Sequence, residues 1–139
     1  MADVEFTDNR MKVEKALNDA VLAYLEESAG EIEAQTKRAQ TRVDTGQTKG
    51  AWTHHVDEDK GEAVIGNPLE NAIWEEYGTG EYALHHDGRK GGWTYKDAKG
   101  NWHFTHGKTP LRPLQHAFDK TKDKIIRRLG TILNNTFSE

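Results

Sequence analysis

The sequence predicts an α+β fold: a small antiparallel sheet with a long N-terminal helix and a C-terminal helix, plus a Gly- and aromatic-rich hairpin loop. Three observations predict it. Apolar residues recur at helical spacing near both ends of the chain, and short β-prone runs bounded by Gly, Asp and Pro fill the middle. Aromatic residues also alternate on two runs that flank a polar turn. A length of 139 residues fits a single domain spanning residues 1–139.

From about Asn9 to Arg42, the positions Val13, Leu17, Ala20, Val21, Tyr24 and Leu25 recur every three or four residues, and Ile32 extends the stripe. A helix of about thirty residues is roughly 45 Å long. That exceeds the width of so small a domain, so part of it should protrude or lie against a neighbour. Val43-Asp44-Thr45-Gly46 then punctuates the chain as a turn. Gly50 to Val56 reads as a strand, 57–62 as a polar hairpin loop, and Ala63 to Gly66 as a second strand that Asn67-Pro68 ends. Leu69 to Tyr77 reads as a short helix with Ile73 and Tyr77 on one side.

Residues 81–108 form a long irregular stretch, expected to be mobile because Gly88, Gly91 and Gly92 permit it. Within it Trp93-Thr94-Tyr95 and Trp102-His103-Phe104 flank 96–101 as the arms of a hairpin. Trp93 and Tyr95 share one face of their strand, as do Trp102 and Phe104 of theirs. Such a hairpin serves either as a docking arm or as a completion of the sheet over the core. Pro110-Leu111-Arg112-Pro113 leads into an amphipathic helix carrying Leu114, Ala117, Phe118, Thr121, Ile125, Leu129, Ile132 and Leu133. Proline in its first turn loses no hydrogen bond. Lys120, Lys122, Lys124, Arg127 and Arg128 crowd its middle and second half, where the helix dipole favours cations.

The core these elements share is thin. Leu, Ile, Val and Phe make up 25 of 139 residues, or 18%, and charged residues 30%. The four Trp and four Tyr argue for a folded chain, and the net charge of −4 is too small for disorder by charge. A thin core in so polar a chain implies help from a partner, most simply from further copies. The charges are also divided along the chain. Residues 1–40 carry 9 acids and 5 bases, and residues 108–139 carry 3 acids and 7 bases. The acidic first helix of one copy is therefore expected to face the basic last helix of the next.

Several functions are excluded on chemical grounds. No stretch approaches the roughly 18 apolar residues of a transmembrane helix, and the acidic opening Met-Ala-Asp-Val-Glu predicts no signal peptide. With no cysteine there is no thiolate nucleophile and no Cys-based zinc site. His54 and His55 point to opposite faces of a strand and do not chelate one ion there. A set of His85, His86, Asp87, His103 and His106, with Glu81 near, matches no metal-ligand spacing. Glu75 and Glu76 point about 100° apart on a helix and do not form a catalytic pair. Gly78-Thr79-Gly80 lacks the Lys of a phosphate-binding loop. The expectation is therefore a non-enzymatic protein with no catalytic residue, cofactor or bound metal.

The ordered motifs resemble a family. A long first helix, then Val43-Asp44-Thr45-Gly46 with Gly50-Ala51-Trp52, then Tyr77-Gly78-Thr79-Gly80, then Pro110-Leu111-Arg112-Pro113 before a terminal helix is similar to the tail-component (neck, tail-completion or tail-terminator-like) proteins of long-tailed bacteriophages. The resemblance implies that Asp44, Thr45, Gly46, Gly78, Thr79, Gly80, Pro110, Arg112 and Pro113 are structural. Gln47 departs from the basic residue common after the first motif, and the loop is unusually rich in His and Trp. Implied, too, is a virion protein assembled in the host cytoplasm, forming a ring of typically six copies at the head-proximal end of the tail. Its partners would be itself, the tail tube protein and the head connector or stopper proteins, with DNA only passing through the lumen and no membrane. Trp93, Tyr95, Trp102, Phe104, Arg127 and Arg128 are the expected interface residues. The alternatives are a head-side completion ring and, in a different class, a metal-dependent nuclease or hydrolase using the histidine-rich loop.

Overall fold

Two long helices form the spine of the molecule. In a computed structural model describing residues 10–43 and 46–137, α1 (Arg10–Ala39) runs antiparallel to α4 (Pro113–Phe137), the most extensive pairing in the fold. Their seam is made of small residues. Ser28, Ala29 and Thr36 of α1 and Ala117 and Thr121 of α4 are buried. The two threonine hydroxyls are satisfied within their own helices, Thr36 Oγ1 donating to the Ile32 carbonyl at 2.7 Å and Thr121 Oγ1 to that of Ala117 at 2.8 Å. The Tyr24 hydroxyl crosses to the Ile125 carbonyl at 3.0 Å.

Ion pairs flank the seam. Arg128 Nε meets Glu27 at 3.1 Å and Lys124 meets Glu31 at 3.6 Å. The expected charge complementarity between copies is thus realised within one chain, at least for these four residues. The bases of α4 lie along its middle, none in its last turn. Lys124 and Arg128 among them answer α1 carboxylates rather than the helix dipole, whose influence is confined to the last turn. Extending the register of these pairs to the end of α4 reaches α1 near Asp19. The first two turns of α1 therefore run past α4, with Met11, Val13 and Leu17 exposed, as the predicted excess length requires.

α1 ends at Ala39 because Gln40 turns inward. Its buried side chain donates to the Arg42 carbonyl at 3.4 Å and accepts from Trp52 Nε1 at 3.4 Å. A four-residue helical turn, α2 (Gln47–Gly50), precedes the first strand and was not predicted. Gly46 opens it with φ of 82°, the left-handed turn expected there; Asp44 and Thr45 lie outside the described residues. The strands β1 (Thr53–Asp57) and β2 (Glu62–Gly66) pair antiparallel and pack on α1. β3 (Trp93–Lys96) and β4 (Trp102–Thr105) form a second, separate two-stranded sheet, so the hairpin does not complete the first one.

α3 (Glu70–Tyr77) presents the opposite face from the one its apolar spacing implies. Ile73, Trp74 and Tyr77 are exposed, while Ala72, Glu75 and Glu76 are buried. The reason lies in what the two carboxylates do. Glu75 is clamped by Arg42 Nε at 3.1 Å and by Lys108 Nζ, and its backbone carbonyl accepts from Leu111 N at 2.7 Å and Arg112 N at 3.0 Å. Glu76 accepts from Leu114 N at 2.9 Å and Gln115 N at 3.0 Å, two amides at the start of α4. Those amides have no partner within the helix, and Arg112 cannot cap them as a Ser or Asp would.

Candidate interaction surface

Gly78-Thr79-Gly80 and residues 106–110 meet to form the root of a projecting arm. Thr79 N donates to the Lys108 carbonyl at 2.9 Å, Glu81 N to that of His106 at 2.9 Å, and Lys108 N to Thr79 Oγ1 at 2.8 Å. The backbones approach so closely that a Cβ on Gly80 would collide with the His106 carbonyl oxygen and with Gly107 Cα. At Gly78, with φ of 73°, a Cβ would meet the Lys108 carbonyl at 2.8 Å and Pro110 Cδ at 2.9 Å. The glycines of this motif are thus explained by packing. Pro110, Arg112 and Pro113 continue from the root into α4, with Pro113 as its first residue and Arg112 held at φ of 58°. That left-handed geometry strains a side-chain-bearing residue by about 1–2 kcal/mol. The Arg112 guanidinium lies 6.0 Å from the Tyr77 ring centroid, within cation–π range.

Beyond the root, residues 81–108 are laid out as a 3₁₀ turn (Gly80–Tyr82), an irregular limb and the β3–β4 hairpin. Its register pairs Trp93 with Thr105, Thr94 with Phe104, Tyr95 with His103 and Lys96 with Trp102. Directly opposed residues share a face, so the two aromatic pairs lie on opposite faces. On one, Trp93 packs at the root beneath the Arg89 guanidinium (5.5 Å) and Tyr95 stacks on His103 (5.3 Å between centroids). On the other, Trp102 and Phe104 are 69% and 61% exposed, with Lys96 Nζ 5.9 Å from the Trp102 centroid. Asp97 closes the turn. Its carboxylate accepts from Lys99 N at 2.9 Å, Asn101 N at 2.8 Å and the His103 ring at 2.7 Å. The His103 contact and then these amides hold its carboxyl below the usual range.

The second feature is an open apolar cleft of about 530 Å³ where α1, β2, α3 and α4 meet. Its walls include Tyr24, Ile32, Ala63, Ile65, Tyr77, Leu114 and Phe118, and none of its lining comes from the arm. The cleft exists because the core does not close. Among the described residues no Leu, Ile, Val, Phe or Met is fully buried, and the buried apolar side chains are Trp52, Pro113 and four alanines. Next to Ala63 lies the β1–β2 turn, where Asp57, Glu58, Asp59 and Glu62 outnumber Lys60.

The histidines of the loop are dispersed. His85 tilts against Tyr77 at 5.5 Å, His106 pairs with Glu81 at 3.2 Å and lies edge-on to Phe104, and His103 belongs to Asp97. Among the described residues no three His, Asp or Glu side chains are grouped so as to hold a metal ion. His54 and His55 part as expected. His54 faces α1, with Nε2 2.6 Å from Glu26 and Nδ1 3.4 Å from Glu33, while His55 is exposed. The Glu26 contact foremost, and then Glu33, raise the His54 pKa above its ordinary value. Of the two expected interface arginines, Arg128 is paired with Glu27 and Arg127 is exposed. The cleft itself was not foreseen, because its residues come from four elements far apart in the chain.

Comparison of the chain with protein-family models, with curated proteins and with solved structures finds no match.

Proposed function

We propose that this chain is a structural virion protein of a tailed phage or prophage. It forms a ring, hexameric by the resemblance of its motifs, at the head-proximal end of the tail, terminating the tail tube and joining it to the head connector. The observation that carries the reading is a core left open beside an arm that exposes its aromatics. A subunit of this kind completes its apolar packing only on assembly. The convergence of Gly78-Thr79-Gly80 with the segment leading into Pro110–Pro113 at one root supports it, because two of the motifs that carry the resemblance act as one structural unit. The protein acts by contact rather than by catalysis.

Light scattering coupled to size exclusion, at several protein concentrations, tests the proposal. The expected species has a mass of about 94 kDa, six times the 15.7 kDa of the chain. A twelvefold mass would favour a head-side completion ring instead. Stoichiometric zinc or nickel bound by untagged protein would favour the metal-dependent hydrolase.

A further inference from the structure

We infer that the β3–β4 arm of one copy seats its Trp102–Phe104 face in the apolar cleft of a second copy, walled by Ala63, Ile65, Tyr77, Leu114 and Phe118. The inference deepens the ring proposed above, on which it rests, by naming both halves of the contact between subunits. Each half is incomplete alone. The two rings leave roughly 300 Å² in water on a single side of the hairpin, given the area such side chains bury. The cleft, at about 530 Å³, is within the usual size for sites that enclose bulky apolar groups.

Charge selects a second copy as the occupant. Residues 88–108 carry Arg89, Lys90, Lys96, Lys99 and Lys108 against Asp97 alone, and Asp97 is engaged in its own turn. The acidic β1–β2 turn immediately precedes Ala63 of the cleft wall. Basic arm and acidic rim therefore match, with Lys96 and Lys99 on the turn side of the hairpin where the rim would meet them. A standard interface buries about 800 Å² per partner. The two rings supply over a third of that, and the stem of the arm with the β1–β2 turn supplies the remainder. Because donor and acceptor are different surfaces of one chain, the contact can repeat head-to-tail from copy to copy, and it closes into a ring where the rotation between copies closes.

The absence of cysteine provides a direct test. Full-length chains carrying Thr94→Cys, an exposed position on the Trp102–Phe104 face of the hairpin, and, separately, Ala63→Cys are mixed under mild oxidation. The expected product is a disulfide dimer containing one of each, in excess of either homodimer. A chain bearing both substitutions should form interchain ladders. A disulfide formed only within the doubly substituted chain would mean that the arm folds onto its own cleft, and would overturn the inference. No mixed dimer would overturn it as well, leaving the cleft to another protein. A second measurement separates this contact from the ring itself. Trp102→Ala with Phe104→Ala, both exposed and so compatible with folding, should raise the apparent dissociation constant of assembly about 30-fold or more. Wild-type assembly that survives the double substitution unchanged refutes the arm while sparing the ring. A wild-type chain that stays monomeric at every concentration refutes both.

Discussion

Glu75 and Glu76 are neighbours in sequence with different tasks, and each is buried because its task requires it. Glu76 caps a helix that begins thirty-seven residues further along, supplying to Leu114 N and Gln115 N the oxygens that Arg112 lacks. Replacing Glu76 by Ala should lower stability by about 1–2 kcal/mol, the usual cost of a lost N-cap. Glu76→Gln, which keeps one acceptor oxygen, should lose less; urea midpoints of the two variants check the order. The sequence showed Pro113 as the start of α4, since proline announces a first helical turn by its own chemistry. It did not show the cap, because nothing local links residue 76 to residue 114. Similarly, Gly78 and Gly80 stood out as structural by the resemblance, whereas the backbone crowding that demands them arises from Lys108, His106 and Gly107.

At the scale of elements, His54 fastens the β1–β2 hairpin to α1 by reaching two carboxylates two helical turns apart. Both ring nitrogens can donate only when the imidazole is protonated. With the folded pKa raised, chiefly by Glu26, its stabilisation is complete below the unfolded value of about 6.5 and is lost as pH rises through the higher folded value. Glu33 also lies 3.9 Å from Lys37. Urea midpoints should therefore fall between pH 6 and pH 8.5, and His54→Gln should flatten that slope. The elements themselves were largely legible. Both long helices, β1 and β2 and the aromatic hairpin follow from periodicity and turn residues. α2 is four residues long, too short for periodicity to register. Ile73 and Tyr77 share one side of α3 as expected, but its inward face was not legible, because apolar spacing marks a buried face only where no carboxylate has a partner to bury against.

Over the whole molecule, the thin core foretold by composition takes a definite form: a cleft rather than loose packing throughout. The charge halves of the chain were equally plain in the sequence. Their pairing within one chain was not, since folding α4 back along α1 brings Glu27 to Arg128 and Glu31 to Lys124 before any neighbour arrives. If assembly covers the unclosed core, as proposed, stability depends on mass action. Melting temperature should accordingly rise with protein concentration, and the Trp102→Ala, Phe104→Ala chain should melt at one temperature throughout a hundredfold dilution series.

The root of the arm has a mechanical meaning. The strand leaving β4 passes straight from Lys108, held by buried Glu75, through Leu111 and Arg112, whose amides bond the same residue, into the first turn of α4. The other limb departs from the C-terminal end of α3. A pull on the hairpin is therefore delivered to two helix ends joined through the hydrogen bonds that Glu75 and Glu76 accept from residues 111–115. The arm behaves as a strut, and the angle at which it is gripped by whatever holds its tip is transmitted to the helical body of the subunit.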